Sequence, residues 1–393
     1  MIRLLFIDYT EDGFSRYASS LVQALKKTGQ EIETTGLFMH QNSIKNTGCF
    51  DHLKCAKDDK YNPDTILSRY NPHAIIVFGH RFFDYMFTIE AHRKSIPVYN
   101  FQHGLYSETQ GISSLTGHNL IQIIKKKREK ITLYLLCVFY INKCSLLKTV
   151  LMLHSLIYQK NMYCAINHKF KDQCNANYSI IFGSSWKHFY EDYYQETKTS
   201  FFIAGYPELE GRTVNAKKLF ANNKPTICYL AQTTVEDGLV SEQVFHTFLT
   251  ALKELLCDYN LVLKLHPRSN VKLYKCLCDI PDSVSVWKEK DFPETDYYIG
   301  HESTIIARAL YITPKTLVCR LSPERVSPFE KYTGFTCNNI DTFEESIKTM
   351  IAAPETESTS SAIESFAFRN PSGAIRSAAD FILNNLREHF PNQ

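Results

Sequence analysis

The chain of 393 residues has no Cys-x-x-Cys pair among its twelve scattered cysteines. That absence removes a zinc ribbon and a thioredoxin-type redox site. Several cysteines lie inside apolar runs, as Cys228 does in "TICYLA" and Cys319 in "TLVCRL", and read as small buried hydrophobes of a reducing compartment. Neither GxxxxGK[ST] nor GxGxxG occurs, so ATP hydrolysis and dinucleotide redox chemistry lose their usual sequence support. There is no Asp-x-Asp pair of the kind that holds a metal–diphosphate, and no metal site is expected. Charge of one sign is also scarce: 44 Lys and Arg stand against 41 Asp and Glu, a net charge of +3. No global polycation is available to grip nucleic acid. The basic run at 125–130 is embedded in apolar sequence rather than among stacking aromatics, and no nucleic-acid partner is expected. The N-terminus starts a strand at once, without the basic, apolar and small-residue regions of a signal peptide. A cytoplasmic protein is the expectation.

What is present is an alternation of short apolar strands and amphipathic helices. "MIRLLFID" is followed by a loop and by "RYASSLVQALKKTG", in which Ala18, Leu21 and Leu25 fall at helical spacing and Gly29 is placed to stop the helix. Further strands are read at "AIIVFG" (74–79), "IPVYNF" (96–101), "SIIFGS" (179–184) and "SFFIAG" (200–205). A second series begins near residue 224 with "PTICYLA", a helix over 240–257, "LVLKLH", "SVSVW", "TDYYIG", a helix from 303 and "KTLVCRL". Continuous apolar strands alternating with helices indicate parallel sheets covered on both faces. The expected class is α/β, with two Rossmann-like, doubly wound domains facing a central cleft. The divisions are an N-terminal domain over 1–210, a linker over 211–224, a C-terminal nucleotide-binding domain over 225–375 and a closing helix over 376–393.

An insertion at 121–172 interrupts the first domain. It carries a basic run, then eleven uncharged, mostly apolar residues (131–141), then a second apolar stretch broken by Lys148 and His154. Neither stretch reaches the roughly 18–20 residues a spanning helix needs. Basic residues beside amphipathic apolar segments suit helices lying in a membrane interface, with 121–160 as the contact. A helical hairpin packed on the domain, or a dimer contact, would read the same way.

Chemistry is sought at strand ends. "NLVLKLHPRSN" (260–270) runs apolar residues straight into His266, Pro267 and Arg268. Proline favours extended geometry in the residue before it, so His266 should continue to the carboxyl tip of the strand. Ligands bind at that edge of an open parallel sheet. His266 and Arg268 could there donate to a phosphate, Arg in bidentate fashion, although a strand that stops at a proline explains the same letters. "TDYYIGHESTIIARAL" (295–310) ends a strand on Gly300 and His301 and opens a helix with Ser303 and Thr304. Hydroxyls at a helix start form a phosphate site or a plain cap, and His301 beside them is a further donor-phosphate candidate. In the first domain, "VYNFQHGLYSE" (98–108) places His103 before a turning glycine, as a general base near neutral pH. "DYTEDGFSRY" (8–17) places Glu11 and Asp12 after the first strand, where a carboxylate could deprotonate an acceptor hydroxyl or merely cap the following helix. A second "EDG", Glu236–Gly238, follows the first strand of the second domain and reads as loop chemistry or a further carboxylate base.

In this order "FQHG", "GYPELEG" (205–211), "LKLHPR" and "GHESTIIARAL" resemble bacterial GT-B glycosyltransferases of surface-polysaccharide synthesis (capsule, lipopolysaccharide, teichoic acid). Two branches are similar, the CDP-glycerol glycerophosphotransferases and the bacterial sialyltransferases and polysialyltransferases. The resemblance implies that His266, Ser303 and Thr304 serve the donor phosphate, and that His103 or Asp12 is the catalytic base. The chain departs from the first branch in lacking Asp-Tyr-Ser-Ser and in carrying Glu208 where arginine is usual. The expected activity is inverting, metal-independent transfer of a sugar from a nucleotide-activated, CMP-linked donor to a glycan or lipid-linked glycan. No cofactor is required beyond the donor, and the location is the inner face of the cytoplasmic membrane. A CDP-polyol phosphotransferase, a non-hydrolysing UDP-sugar epimerase and a non-enzymatic glycan- or nucleotide-binding scaffold are the alternatives.

Overall fold

A computed structural model describes residues 1–10, 14, 17–40, 48–105, 132–133, 135–158, 170, 173–194, 196–210, 214–215, 219–289, 291–323, 326–327, 329–354 and 359–390. These form two compact units. The first draws on 1–103, 119–210 and 368–393, the second on 104–118 and 211–367.

The first unit is built on seven strands: β1 (Ile2–Thr10), β2 (Ile32–His40), β3 (His52–Cys55), β4 (Ala74–Val77), β5 (Val98–Phe101), β6 (Tyr178–Ile181) and β7 (Ser200–Ile203). They pair in the order β3-β2-β1-β4-β5-β6-β7, every pair parallel. β4 and β5 are buried at every position, which is why they read as unbroken apolar runs. The helix Ala18–Lys26 buries Ala18, Leu21, Val22 and Leu25, and Gly29 (φ +77°) lets the chain turn out of it. The helix Pro63–Tyr70 starts on an Asn62 cap, whose side chain accepts from the Asp64 and Thr65 amides, with Pro63 in the first turn.

The described part of the insertion is a helical hairpin. Residues 135–141 are helical, a turn follows, and a second helix runs Leu146–Tyr158. Cys137, Val138, Ile141 and Met152 are buried in the core of the first unit. The packed-hairpin reading is therefore correct for these residues, while the outer face of the second helix stays open.

The chain re-enters the first unit after the second is complete. This corrects the sequence division, which gave 225–375 to the second domain and treated 376–393 as a separate closing helix. The second unit ends at Ala367. The helix Ala374–His389 packs against Ala18–Lys26, and Phe381 stacks on Phe202 at 4.2 Å between ring centroids, with Tyr178 and Tyr99 edge-on to it. The "GYPELEG" stretch ties this return. The Tyr206 amide donates to the Phe368 carbonyl (2.8 Å), Asn370 donates to the Ala204 carbonyl (2.7 Å), and Glu210 accepts from the Ile375 amide at the helix start (3.0 Å). Gly205 sits at φ +98°, and a Cβ there would stand 2.9 Å from the Phe368 carbonyl oxygen, so glycine is required.

The second unit carries a six-stranded sheet of β9 (Thr226–Leu230), β10 (Asn260–Lys264), β11 (Val284–Val286), β13 (Tyr297–Gly300), β14 (Thr316–Cys319) and β15 (Phe335–Cys337). Its order is β11-β10-β9-β13-β14-β15, again all parallel. A small parallel pair joins β8 (Val214–Asn215) to β12 (Phe292–Pro293).

Candidate functional site

Each sheet reverses its strand order once, between β1 and β4 in the first unit and between β9 and β13 in the second. In open parallel sheets the crevice beyond the carboxyl ends at such a point is where ligands sit.

In the second unit the loops after β9, β10 and β13 meet at that edge. His266 follows β10 and is half-buried, its Nδ1 accepting from the Arg268 amide at 3.1 Å. Burial, with the Arg268 guanidinium nearby, holds its pKa below the usual histidine range. The ring is thus neutral at pH 7, with its proton on Nε2 available to donate.

Arg268 does not behave as the sequence suggests. Its fork closes on Asp237 (2.9 and 3.1 Å), and Nη2 also donates to Thr233 Oγ1 (3.1 Å). The hydrogen bond from Arg268 holds the Asp237 carboxyl below its ordinary range. Glu236 in turn accepts from the Asn270 amide at 2.6 Å. The second "EDG" is therefore the clamp on the "HPR" loop, and the expected bidentate phosphate contact of Arg268 is already taken by a carboxylate. The pair is exposed, Arg268 by 64%, so it contributes only about 0.2–1 kcal/mol to stability and acts mainly on loop position.

His301 is corrected too. It is buried, with Tyr229 Oη donating to Nε2 (2.9 Å) and Nδ1–H donating to the Cys319 carbonyl (2.9 Å). Burial pushes its pKa down to about 4. Both ring nitrogens serve the core, and neither is offered to a donor phosphate. Ser303 and Thr304 are half-buried, and they precede the helix rather than open it. The helix runs Ile306–Ile312, and the Ser303 and Thr304 carbonyls accept from the Ile306 and Ala307 amides in the leading turn. Gly300 packs closely on this helix, since a Cβ there would lie 3.0 Å from Ile306 Cγ1. The turn is drawn to the β9 loop by the Glu302 amide, which donates to Gln232 Oε1 at 2.9 Å.

One residue at this edge was missed by the sequence reading. Thr234 is 5% exposed, and its hydroxyl has no hydrogen-bond partner among the described residues. An unmet buried hydroxyl costs about 1–3 kcal/mol. The signal was legible as a threonine pair directly after a strand, in "LAQTTVEDG".

In the first unit His103 stands just past β5, half-buried, with its ring edge-on to Tyr17 at 6.2 Å. The Gln102 before it is buried and accepts from the Phe182 amide (2.9 Å). Gly104 (φ +125°) makes the turn that the sequence suggests. Glu11 and Asp12 lie outside the described residues. Among the described residues no group of three His, Cys, Asp or Glu side chains is placed to hold a metal ion.

No family model and no curated protein sequence matches the chain. Solved structures do. The UDP-GlcNAc 2-epimerase from Methanocaldococcus jannaschii aligns over 98% of this chain and 100% of its own, with a TM-score of 0.54 and 11% identity. A kitacinnamycin glycotransferase aligns over 97% and 98%, with a TM-score of 0.54 and 13% identity. The S. aureus MnaA–UDP co-structure aligns over 100% and 97%, with a TM-score of 0.51 and 12% identity. The chain has the GT-B fold. At such identity the likeness speaks for the fold alone, and the GT-B sheets place the Thr234, His266 and Ser303–Thr304 loops at the carboxyl edge of the second unit.

Proposed function

We propose that this GT-B chain is a glycosyltransferase that takes its sugar from a nucleotide-activated donor. The observation that carries this is the donor-rich switch point of the second unit. The hydroxyl of Thr234, Nε2–H of His266 and the hydroxyls of Ser303 and Thr304 stand on adjacent loop ends, while the nearby Asp237 is already neutralised by Arg268. Hydrogen-bond donors gathered on neighbouring loops suit a diphosphate. UDP is the nucleotide favoured here over the CMP expected from sequence, because UDP is named with several structures of the same fold.

In the transfer, an acceptor hydroxyl loses its proton to a base, for which His103 is the described candidate. The hydroxyl oxygen bonds to the anomeric carbon with inversion. The bond from that carbon to the phosphate oxygen breaks, and its electron pair stays on the phosphate, where His266 and the hydroxyls take up the charge. The mechanism calls for no metal and no cofactor.

A second reading, a non-hydrolysing UDP-sugar epimerase, is favoured by the epimerases among the similar structures. Incubation with UDP-GlcNAc separates the two. The transferase reading expects UDP release only when a glycan acceptor is added. Conversion of UDP-GlcNAc to its 2-epimer with no acceptor present would replace it.

The reading also puts the enzyme at the inner membrane face, acting on a surface glycan. On the helix Leu146–Tyr158, Leu146, Leu147, Val150 and Leu151 are 73%, 72%, 62% and 58% exposed. They recur at the spacing of one helix face. The exposed Lys143 and Lys148 lie alongside, and no acidic residue occurs from 130 to 171. This is the composition of an interfacial helix on anionic lipid. Among the described residues no helix is long and apolar enough to cross a membrane. Leu147→Glu with Val150→Glu is expected to abolish sedimentation with phosphatidylglycerol vesicles at unchanged melting temperature. Retained sedimentation would exclude this face as the contact.

A further inference from the structure

The switch point of the first unit has the opposite hydrogen-bonding character. Asp8, near the end of β1, is 2% exposed. Its Oδ1 accepts from Arg81 Nη1 and from the Tyr9 amide, both at 2.6 Å. Its Oδ2 is shut from solvent and has no partner among the described residues. His80 follows β4 across the same reversal and is 6% exposed. Its Nε2 lies 2.5 Å from Glu196 Oε1 and 3.3 Å from Asn100 Nδ2, and the far shorter carboxylate contact assigns the proton to Nε2. The other oxygen of Glu196 accepts from Ser179 Oγ at 2.8 Å. The carboxylate fixes the tautomer, with the proton on Nε2 and the lone pair on Nδ1. Nδ1 is likewise buried and without a partner among the described residues.

Buried polar atoms left unmet are few in native proteins, and each asks for a reason. Here two stand on neighbouring strand ends, at the one place where the sheet topology opens a crevice, and both are acceptors. An anion is the wrong complement, because the carboxylates of Asp8 and Asp84 flank the single guanidinium of Arg81. The matching group is a hydrogen-bond donor, and on the transferase reading that donor is a substrate O–H. Aromatic rings frame His80, with Tyr194 stacked on it at 3.7 Å and Tyr190 and Tyr85 edge-on at 5.0 and 6.1 Å. Such rings suit the C–H faces of a sugar.

We propose that the first unit holds a binding site for a neutral, hydroxyl-bearing ligand, a sugar or polyol, whose O–H groups donate to Asp8 Oδ2 and His80 Nδ1. The site rests on the transferase reading and deepens it by naming the chemistry of the hydroxyl substrate. Both atoms are covered in this structure, so the side chains around them part to admit the ligand.

The test uses the full chain, labelled with 15N histidine, in the presence of UDP, titrated with methyl glycosides of glucose, galactose and N-acetylglucosamine and with glycerol. The unprotonated nitrogen of His80 is expected to move upfield with at least one of these probes. Asp8→Asn, followed on the same His80 resonance, and His80→Asn, followed by isothermal titration calorimetry, are each expected to weaken that probe by about tenfold, the worth of one hydrogen bond to such an acceptor. Stabilisation by UDP, which reports the second unit, is expected to survive both changes. If UDP stabilises the protein but every probe leaves the His80 resonance in place, the site holds water only and the proposal is overturned. Glycoside binding that persists in both variants also overturns it. A His80 response without any stabilisation by UDP would keep the site and reject the transferase reading.

Discussion

His266→Ala is expected to weaken nucleoside diphosphate binding about ten- to a hundredfold, the loss of one hydrogen bond to a charged group worth about 1.5–3 kcal/mol. At a ligand concentration of about 100 Kd the native protein gains about 2.7 kcal/mol, and the variant at the same concentration about 0.4–1.4 kcal/mol. Differential scanning fluorimetry across UDP, CMP, CDP, GDP and ADP reads this directly. The unliganded melting temperature should hardly change, because His266 is half-buried and its described side-chain bond is to the neighbouring Arg268 amide. Arg268→Ala is the informative comparison. Its fork is occupied by Asp237, so its loss should cost less than about tenfold, chiefly through a looser loop. Equal losses in the two variants would mean that the Arg268–Asp237 pair opens on binding, contrary to the arrangement described here.

The second large effect is on stability in mild acid. His301 has a folded pKa of about 4, below the roughly 6.5 of an unfolded histidine. Between those values the unfolded chain binds more protons than the folded one, so stability rises with pH through the window and is lost as pH falls from about 6.5 to about 4. The full loss from this one group is about 3 kcal/mol. Urea unfolding followed by Trp287, in a Trp186→Phe background, reports the second unit. Carboxylates titrate near the lower end of the window, so the quantity to read is native protein minus His301→Leu. That difference should favour the native protein by about 1–3 kcal/mol at pH 7, because the Tyr229 hydroxyl and Cys319 carbonyl lose their partner in the variant. It should shrink or reverse as the pH approaches 4. A difference independent of pH would show that His301 does not stay neutral in the folded protein.

Much of the fold was legible because buried parallel strands leave unbroken apolar runs. β4, β5 and β10 fall inside the stretches read as strands. β3, "HLKC", was not legible, because its residues are at best half-buried at the sheet edge, and such a strand carries no apolar run. The site was half legible. The rule that singled out "LHPR", a histidine and a basic residue ending an apolar strand, applies equally to "FGHR" at 78–81. The Glu196 that gives His80 its tautomer lies 116 residues away, beyond any local pattern. His301 was misjudged for the opposite reason. Its place after Gly300 is that of a ligand-binding residue, but only packing reveals that Tyr229 and Cys319 already take both ring nitrogens.

The helix Ala374–His389 belongs to the unit that the N-terminus begins, yet the whole of residues 211–367 comes before it. On a ribosome adding about 5–20 residues per second, that interval lasts roughly ten to thirty seconds. Throughout it, Phe202, Tyr178 and Tyr99 have been synthesised while Phe381, the ring that stacks on the first and meets the other two edge-on, has not. The nascent first unit waits with an aromatic face uncovered, and a chaperone that binds bare aromatics would find its foothold there until the last helix emerges.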